Sequence, residues 1–332
     1  MNTDQADKIV NNDYEWTQPF LRDLFLTICG DGNAEYLNDV IKRTYGRYID
    51  FPTIVLDDEG EVSTKNRLLQ LQNDGLSIIG QVISDEQVAE VVANLLPKHM
   101  HDIWDSTSPR FTYENKPENL NVANYFDQDV INAPYLLQIA NHPSIIRLIQ
   151  AYLGVMPTIE VAECWWSFAS ADAPKQAQLF HGDYHGGKFV KLFVYLTDVD
   201  GDSGPHTYVK MSHRKSTINE KLESLKLADL AKYNVVVKKL GQRDKNNRFI
   251  ESDVFGELFG KDKVVDITGQ KGTCFIEDTS GIHRGLKPRA RDRLVFQVTY
   301  TSIQNFKDPN PMVKSSNYID KIMTAYPPAV SG

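Results

Sequence analysis

The sequence predicts a mainly β fold with flanking helices, a β-sandwich or barrel rather than a parallel sheet. Short segments rich in β-branched and aromatic residues recur from Thr158 onwards. Glycine and proline turns, such as the one at residues 201–205, separate these segments. Helical patterns are concentrated before Thr158, so strands and helices do not alternate as they would in a parallel α/β sheet.

The first half of the chain is predicted to be largely helical. Residues 1–66 form a helical N-terminal extension in which no chemistry is recognisable, with helices near 19–29 and 34–45. A helix then ends at Gly75, and a short strand follows over 76–80. Ser84 and Gln87 form a capping box that opens the next helix.

A further helical stretch over residues 134–153 is predicted to break near Pro143 and to end at Gly154. The predicted strands lie at 158–167, 187–199, 206–209, 263–267, 272–276 and 293–301. Residues 214–261 are charged and partly helical, which indicates an insertion that could act as a lid. The domain is expected to span residues 67–305, with 306–332 as a C-terminal tail.

Composition narrows the class of protein. Hydrophobic residues make up 41% of the 332 residues, enough to bury a full core. The net charge of −8 argues against nucleic acid or an anionic membrane as a partner. Three scattered cysteines, no apolar leader and no long apolar run predict a cytoplasmic protein without disulfides or membrane spans.

The segment Phe180-His-Gly-Asp183 carries the first part of a possible metal site. Residues two apart on a strand share a face, so His181 and Asp183 would point the same way. One imidazole and one carboxylate are two of the three ligands of a 2-His-1-carboxylate triad, which leaves open positions on Fe(II). By itself the His-x-Asp pattern is common and weak.

Two later residues make the pattern specific. His283 follows a strand and a turn of small residues, and a barrel can bring it to the same metal ion as His181 and Asp183. Arg293 opens the last strand ten residues later, where its guanidinium could bind a dicarboxylate through two parallel hydrogen bonds. Arg291 is the alternative dicarboxylate ligand, since it would share that face of the strand.

The chain resembles the phytanoyl-CoA dioxygenase (PhyH-like) family of Fe(II)/2-oxoglutarate-dependent oxygenases from about Arg67 to Gln304. The motifs that carry the resemblance are Leu71-Gln-Asn-Asp-Gly-Leu-Ser-Ile-Ile-Gly, Ile139-Ala-Asn-His-Pro-Ser-Ile, His181-Gly-Asp, Lys191-Leu-Phe-Val-Tyr-Leu-Thr-Asp-Val-Asp, Ser203-Gly-Pro, Ser212-His213 and Asp278-Thr-Ser-Gly-Ile-His-Arg-Gly, followed by Arg293. Taken together these motifs are specific, whereas residues 1–66 carry no motif of the family.

The resemblance implies a double-stranded β-helix (jelly-roll) core. It also implies Fe(II), 2-oxoglutarate and O2 as cofactor and co-substrates, with the metal on His181, Asp183 and His283 and the distal carboxylate on Arg293. Lys191 lies where relatives often place a further polar contact to the co-substrate.

The chain departs from the family pattern in three places. Residues 210–213, Lys-Met-Ser-His, stand where relatives usually have Pro-Gly-Ser-His. Gly285 replaces a small hydroxyl residue, and Cys164 stands where a polar co-substrate contact is common. These differences predict an altered turn and a co-substrate pocket that is altered on one side.

Several other residues have both a structural and a functional interpretation. His185 could contact substrate if the strand stays regular, or lie in a loop because two glycines follow it. Trp165 and Trp166 must face opposite sides of their strand, and Trp166 is taken as the candidate for the pocket. His206 and His213 are interpreted as structural residues.

The sequence therefore predicts a 2-oxoglutarate-dependent oxygenase that hydroxylates a C–H bond of a small molecule, while desaturation or cyclisation would begin in the same way. Asp183 argues against halogenation, because halogenating relatives have a small residue at that position. Two alternatives remain, a catalytically silent jelly-roll binding protein and a cupin-like metal-dependent isomerase or hydrolase. The pattern does not specify the substrate or the oligomeric state.

Overall fold

A computed structural model of the chain describes residues 58–105, 107–154, 157–183, 188–224, 250 and 254–302. In these residues the strands are β1 Leu76–Gln81, β2 Met100–His101, β3 Val122–Tyr125, β4 Thr158–Ser167, β5 Phe189–Tyr195, β6 His206–Val209, β7 Val264–Ile267, β8 Thr273–Glu277, β9 His283–Gly285 and β10 Arg293–Thr301. The α-helices are α1 Asp58–Asp74, α2 Asp85–Leu95, α3 Asp127–Asn132, α4 Leu136–Ala140, α5 Pro143–Leu153, α6 Lys215–Glu223 and α7 Phe255–Phe259.

The described strands form two antiparallel sheets. The larger sheet has the order β1-β8-β5-β10-β4-β3-β2, and the smaller sheet has the order β7-β6-β9. Some neighbouring strands are far apart in sequence, as β10 between β5 and β4 shows. This architecture confirms the predicted mainly β fold with a jelly-roll core and flanking helices.

The two faces of the larger sheet differ in character. On β10, Leu294, Phe296 and Val298 belong to the main hydrophobic core, which the helices cover. Arg293 and Gln297 lie on the opposite face, because side chains alternate along a strand. All nine residues of β10 are buried, so this second face is also enclosed and holds polar groups inside the protein.

Two smaller apolar clusters close the space between the sheets. One contains Phe193, Tyr195, Tyr208 and Phe275 from both sheets. The other packs Phe255 and its neighbours in α7 against Phe180 and Ile282, the residues that precede His181 and His283. The end of the predicted insertion is thus anchored beside the candidate metal ligands, while residues 225–249 and 251–253 lie outside the described residues.

Several local predictions are confirmed. Ser84 and Gln87 form both hydrogen bonds of the capping box. The predicted break at Pro143 separates α4 from α5, and Gly154 ends α5 with a positive φ of 78°. The helix expected from Leu68 instead begins at Asp58, so the proposed domain boundary at residue 66 falls inside α1.

The predicted helices near 19–29 and 34–45 and the tail at 306–332 lie outside the described residues. Among the residues that the structure does describe, no helix has the length and apolar character needed to cross a membrane.

The turn after β6 contains a non-glycine residue in the left-handed conformation, while the predicted difference from the turn of the resembling family stays a prediction. Met211 adopts a φ of 71°, a left-handed conformation that favours glycine. Its amide donates a hydrogen bond of 2.8 Å to the carbonyl of Asp74, which ties the turn to the end of α1. The chain therefore holds a methionine in a strained backbone conformation at this turn.

Replacing Met211 with glycine should relieve this strain. We expect M211G to have a free energy of unfolding about 0.5–1 kcal/mol higher than M211A, because alanine keeps the steric penalty of a left-handed residue and glycine does not. M211A is the matched control, since both variants lose the methionine side chain. Urea unfolding measures the difference, and an M211G protein no more stable than M211A would contradict the interpretation.

Candidate metal centre

The three predicted metal ligands meet where two distant segments pair through their backbones. The amide of His181 donates to the carbonyl of His283, and the amide of His283 donates to that of His181, both at 2.9 Å. The amide of Asp183 donates to the carbonyl of Thr279 at 2.8 Å, which extends the pairing. These bonds fix the distance between the His-x-Asp segment and the third ligand.

The ligand atoms are close enough to share one ion. The Nε2 of His181 lies 3.7 Å from Oδ1 of Asp183, and the Nε2 of His283 lies 3.5 Å from Oδ2. Two ligands at right angles, each about 2.1 Å from a metal, would be about 3 Å apart. All three side chains are buried, and they form one of the two possible metal-binding groups among the described residues.

Backbone carbonyls orient both imidazoles. The Nδ1 of His181 is 2.8 Å from the carbonyl of Leu179, and the Nδ1 of His283 is 3.0 Å from that of Gly281. A carbonyl can only accept, so the hydrogen of each neutral ring is on Nδ1. The lone pair of each ring is then on Nε2, which lies 3.7 Å (His181) or 3.5 Å (His283) from an oxygen of Asp183, as metal-binding histidines require.

Lys191 pairs with the carboxylate of the triad. Its Nζ lies 2.8 Å from Oδ2 of Asp183. Burial alone would raise the pKa of Asp183, but the charge of Lys191 outweighs it and holds this pKa well below its usual range. The carboxylate is therefore ionised and oriented, with Oδ1 turned towards His181. The predicted contact of Lys191 with 2-oxoglutarate remains a prediction.

Arg293 is buried at the start of β10 with most of its donors unused. One guanidinium nitrogen, Nη2, donates to Ser167 at 3.2 Å. Nε and Nη1 are buried and have no hydrogen-bond partner among the described residues. Burial lowers the pKa of Arg293 without removing its charge. A buried cation with unused donors fits an anionic ligand, since an unpaired buried charge is unfavourable.

The alternative dicarboxylate ligand, Arg291, occupies a different environment. Its guanidinium is 56% exposed and forms an ion pair with Asp200. The structure therefore favours Arg293 of the two, because its charge lies inside the protein and is not paired with a carboxylate.

The strand β4 shows which residues face the interior. Trp166 packs in the main core, and its Nε1 donates to the hydroxyl of Tyr125 at 2.9 Å. Trp165 faces the other way and packs edge-on against Phe193 between the sheets. Trp165, and not Trp166, therefore faces the space between the sheets.

The same alternation corrects the expectation for Cys164. Its side chain is completely buried in the main core, away from the triad. The residue that faces the interior is Glu163, which accepts a hydrogen bond of 3.0 Å from Gln297. His185 lies outside the described residues.

The two other histidines differ in their positions. His213 lies beside the turn at Gly75, with its Nε2 3.3 Å from the carbonyl of Gln72, which agrees with a structural role. His206 instead lies inside the barrel, where its ring stacks on that of His283 with centroids 5.4 Å apart. The structural role predicted for His206 stays a prediction.

Sequence reasoning missed Glu277, the partner of His206. Its Oε1 lies 2.7 Å from Nε2 of His206, although the alignment of the two groups is poor for a hydrogen bond. Burial raises the pKa of Glu277 to about 8, and burial with the charges of Arg293 and Lys191 lowers that of His206 to about 3. A carboxylate directly after the apolar stretch 274–276 was the available signal.

The chain has no match among protein-family models and none among curated proteins. Its likeness to solved structures is distant. The α-ketoglutarate-dependent epimerase SnoN from nogalamycin biosynthesis is 17% identical, with 73% of this chain and 83% of that chain covered and a TM-score of 0.45.

Two further structures are similar at the same level. HygX from Streptomyces hygroscopicus, with nickel and 2-oxoglutarate bound, is 13% identical over 76% of this chain and 94% of that chain, with a TM-score of 0.46. EctD from S. alaskensis, with 2-oxoglutarate and 5-hydroxyectoine, is 14% identical over 77% of this chain and 79% of that chain, with a TM-score of 0.45. These values carry no argument about activity, so membership of the phytanoyl-CoA dioxygenase family stays a prediction.

Proposed function

We propose that the protein is an Fe(II)- and 2-oxoglutarate-dependent oxygenase that hydroxylates a C–H bond of a small-molecule substrate. The observation that carries the proposal is the convergence of His181, Asp183 and His283 on one buried point. Two imidazoles and one carboxylate with open positions beside them are the ligand set of non-haem Fe(II) oxygenases. In the proposed reaction, 2-oxoglutarate, O2 and the substrate give succinate, carbon dioxide and the hydroxylated product.

The donor set and its surroundings fit this group. His181 and His283 would bind the ion through Nε2, and Asp183 through Oδ1 while Oδ2 stays with Lys191. Iron bound there would supply the oxidising chemistry once O2 and 2-oxoglutarate join it. The ion pair with Lys191 would orient this carboxylate, because carboxylates that bind metals are themselves held by hydrogen bonds.

The rest of the site would bind the co-substrate and exclude water. Arg293 offers two buried donors, Nε and Nη1, for the distal carboxylate of 2-oxoglutarate. The rings of Phe193 and Phe275 stack 5.0 Å apart between the sheets and would shield the reacting atoms from solvent.

The two alternative functions lead to different measurements. A catalytically silent binding protein would hold metal or ligand but would not consume 2-oxoglutarate, which iron analysis and uncoupled turnover detect. A metal-dependent hydrolase or isomerase would act without O2 and without 2-oxoglutarate, since two histidines and one carboxylate also suit catalytic zinc. The buried donors of Arg293 favour the oxygenase, because neither alternative requires a dicarboxylate.

Removing the carboxylate of the triad should abolish turnover. We expect D183A to form succinate more than ~100-fold more slowly than the wild type, because loss of a direct ligand should exceed the 10- to 100-fold typical of outer-shell partners. Succinate formation and bound iron are measured together. The matched control is D262A, whose carboxylate is 76% exposed. Succinate release by D183A at the wild-type rate would defeat the proposal.

Removing the guanidinium should weaken co-substrate binding and leave the metal in place. We expect R293Q to raise the KM for 2-oxoglutarate by roughly 10- to 100-fold, because each hydrogen bond to a charged group contributes about 1.5–3 kcal/mol. Steady-state kinetics with varied 2-oxoglutarate measure the effect. R289Q is the control, since that side chain is 72% exposed. An unchanged KM in R293Q would mean that the dicarboxylate binds elsewhere.

A further inference from the structure

The His206–Glu277 pair lies next to Arg293 in the barrel. His206 on β6 pairs across the strands with Gly285 on β9. A Cβ atom placed on Gly285 would lie 3.0 Å from Nη2 of Arg293, so the guanidinium packs against the residue opposite His206. The charge of Arg293 also contributes to the lowered pKa of His206. The imidazole and the guanidinium therefore border the same part of the interior.

This part of the barrel is rich in buried polar atoms without partners. Nε2 of His206, both carboxylate oxygens of Glu277, and Nε and Nη1 of Arg293 have no hydrogen-bond partner among the described residues. Buried polar groups are normally satisfied, and a group of exceptions calls for a ligand or a local adjustment. The 2.7 Å separation of Nε2 of His206 and Oε1 of Glu277 is within hydrogen-bond distance.

The pair also determines which nitrogen of His206 can donate towards the interior. Glu277 is fully buried, so an unshared negative charge on it would be unfavourable. The neutral, protonated carboxyl of Glu277 would donate its hydrogen to Nε2, so the hydrogen of the neutral imidazole would be on the other ring nitrogen, Nδ1. Nε2 is the completely buried nitrogen of the ring, and the side chain as a whole keeps 10% of its surface accessible. Nδ1 is thus the donor left for a ligand.

We propose that His206 is a second donor to the distal carboxylate of 2-oxoglutarate, beside Arg293, and that Glu277 is the positioning residue that holds its ring. The inference rests on the proposed function, because it assumes a dicarboxylate co-substrate. It assigns to this chain a carboxylate site made of one guanidinium and one imidazole. The two donors come from different sheets, since His206 lies on β6 and Arg293 on β10.

Another interpretation of the same residues is a second metal site. His206, Glu277 and His283 form the other possible metal-binding group among the described residues. Nδ1 of His283 is engaged with the carbonyl of Gly281, which leaves Nε2 as its one metal-binding atom. That atom faces Asp183 at 3.5 Å, so an ion on His206 and Glu277 would compete with the triad. The position of Arg293 favours the carboxylate site.

The test compares two 2-oxo acids that differ at the distal carboxylate. Calorimetry under anaerobic conditions gives the Kd of 2-oxoglutarate and of 2-oxobutanoate, which has no distal carboxylate, for the Fe(II)-loaded chain. We expect the substitution H206L to raise the Kd of 2-oxoglutarate by roughly 10- to 100-fold, the range of one hydrogen bond to a charged group. The Kd of 2-oxobutanoate should stay within about 3-fold, because the lost donor does not touch it.

Two conservative variants and one control complete the design. H206Q keeps a donor and should recover most of the affinity for 2-oxoglutarate. E277Q can still donate to Nε2 and should bind 2-oxoglutarate better than E277L. H142L, which alters an exposed histidine at the start of α5, should match the wild type for both acids.

The outcomes separate this inference from the proposed function. A wild-type chain that binds Fe(II) but neither 2-oxo acid would overturn the proposed function, and the inference with it. The inference alone would be overturned if H206L bound 2-oxoglutarate with wild-type affinity. It would also be overturned if H206L lost the same affinity for both 2-oxo acids. Loss of iron from H206L would also overturn it, because His206 would then be a metal ligand.

Discussion

The reciprocal backbone hydrogen bonds between His181 and His283 are the constraint on which the site depends. The two residues are 102 positions apart in the sequence, so their pairing is a long-range contact between distant segments. Their pairing places two imidazoles with ring centroids 4.2 Å apart and leaves Asp183 facing both. The apolar residues before them, Phe180 and Ile282, pack into one cluster that holds this pairing in the interior.

The second constraint is the balance of charge between the sheets. Asp183 has Lys191 as its counter-ion, and Glu277 can share a proton with His206. Arg293 is the buried cation that lacks a carboxylate partner in the described part of the chain. An interior with a paired anion and an unpaired guanidinium suits a dianionic ligand, because the ligand would satisfy the donors of Arg293.

Much of this organisation was predictable from the sequence because it follows from local rules. The period of two along a strand predicted that His181 and Asp183 share a face. The order of His283 and Arg293 in the sequence indicated the third metal ligand and the dicarboxylate ligand. Turn chemistry predicted the capping box at Ser84 and the break at Pro143, and both are confirmed.

Other features depended on information that the pattern does not contain. Alternation shows that Trp165 and Trp166 face opposite sides of the sheet, but it does not show which of them faces the space between the sheets. The helices that cover Trp166 determine that it lies in the main core. The partnership of His206 and Glu277 joins strands in different sheets, so no spacing along the chain reveals it. The start of α1 at Asp58 was missed because the apolar pattern of this helix begins only near Leu68.

The most direct test of the central claim is a crystal structure grown without oxygen in the presence of Fe(II) and 2-oxoglutarate. We predict one ion bound by Nε2 of His181, Nε2 of His283 and the carboxylate of Asp183, with the distal carboxylate of 2-oxoglutarate on Arg293. An ion bound at another place, or 2-oxoglutarate bound away from both the ion and Arg293, would contradict the account.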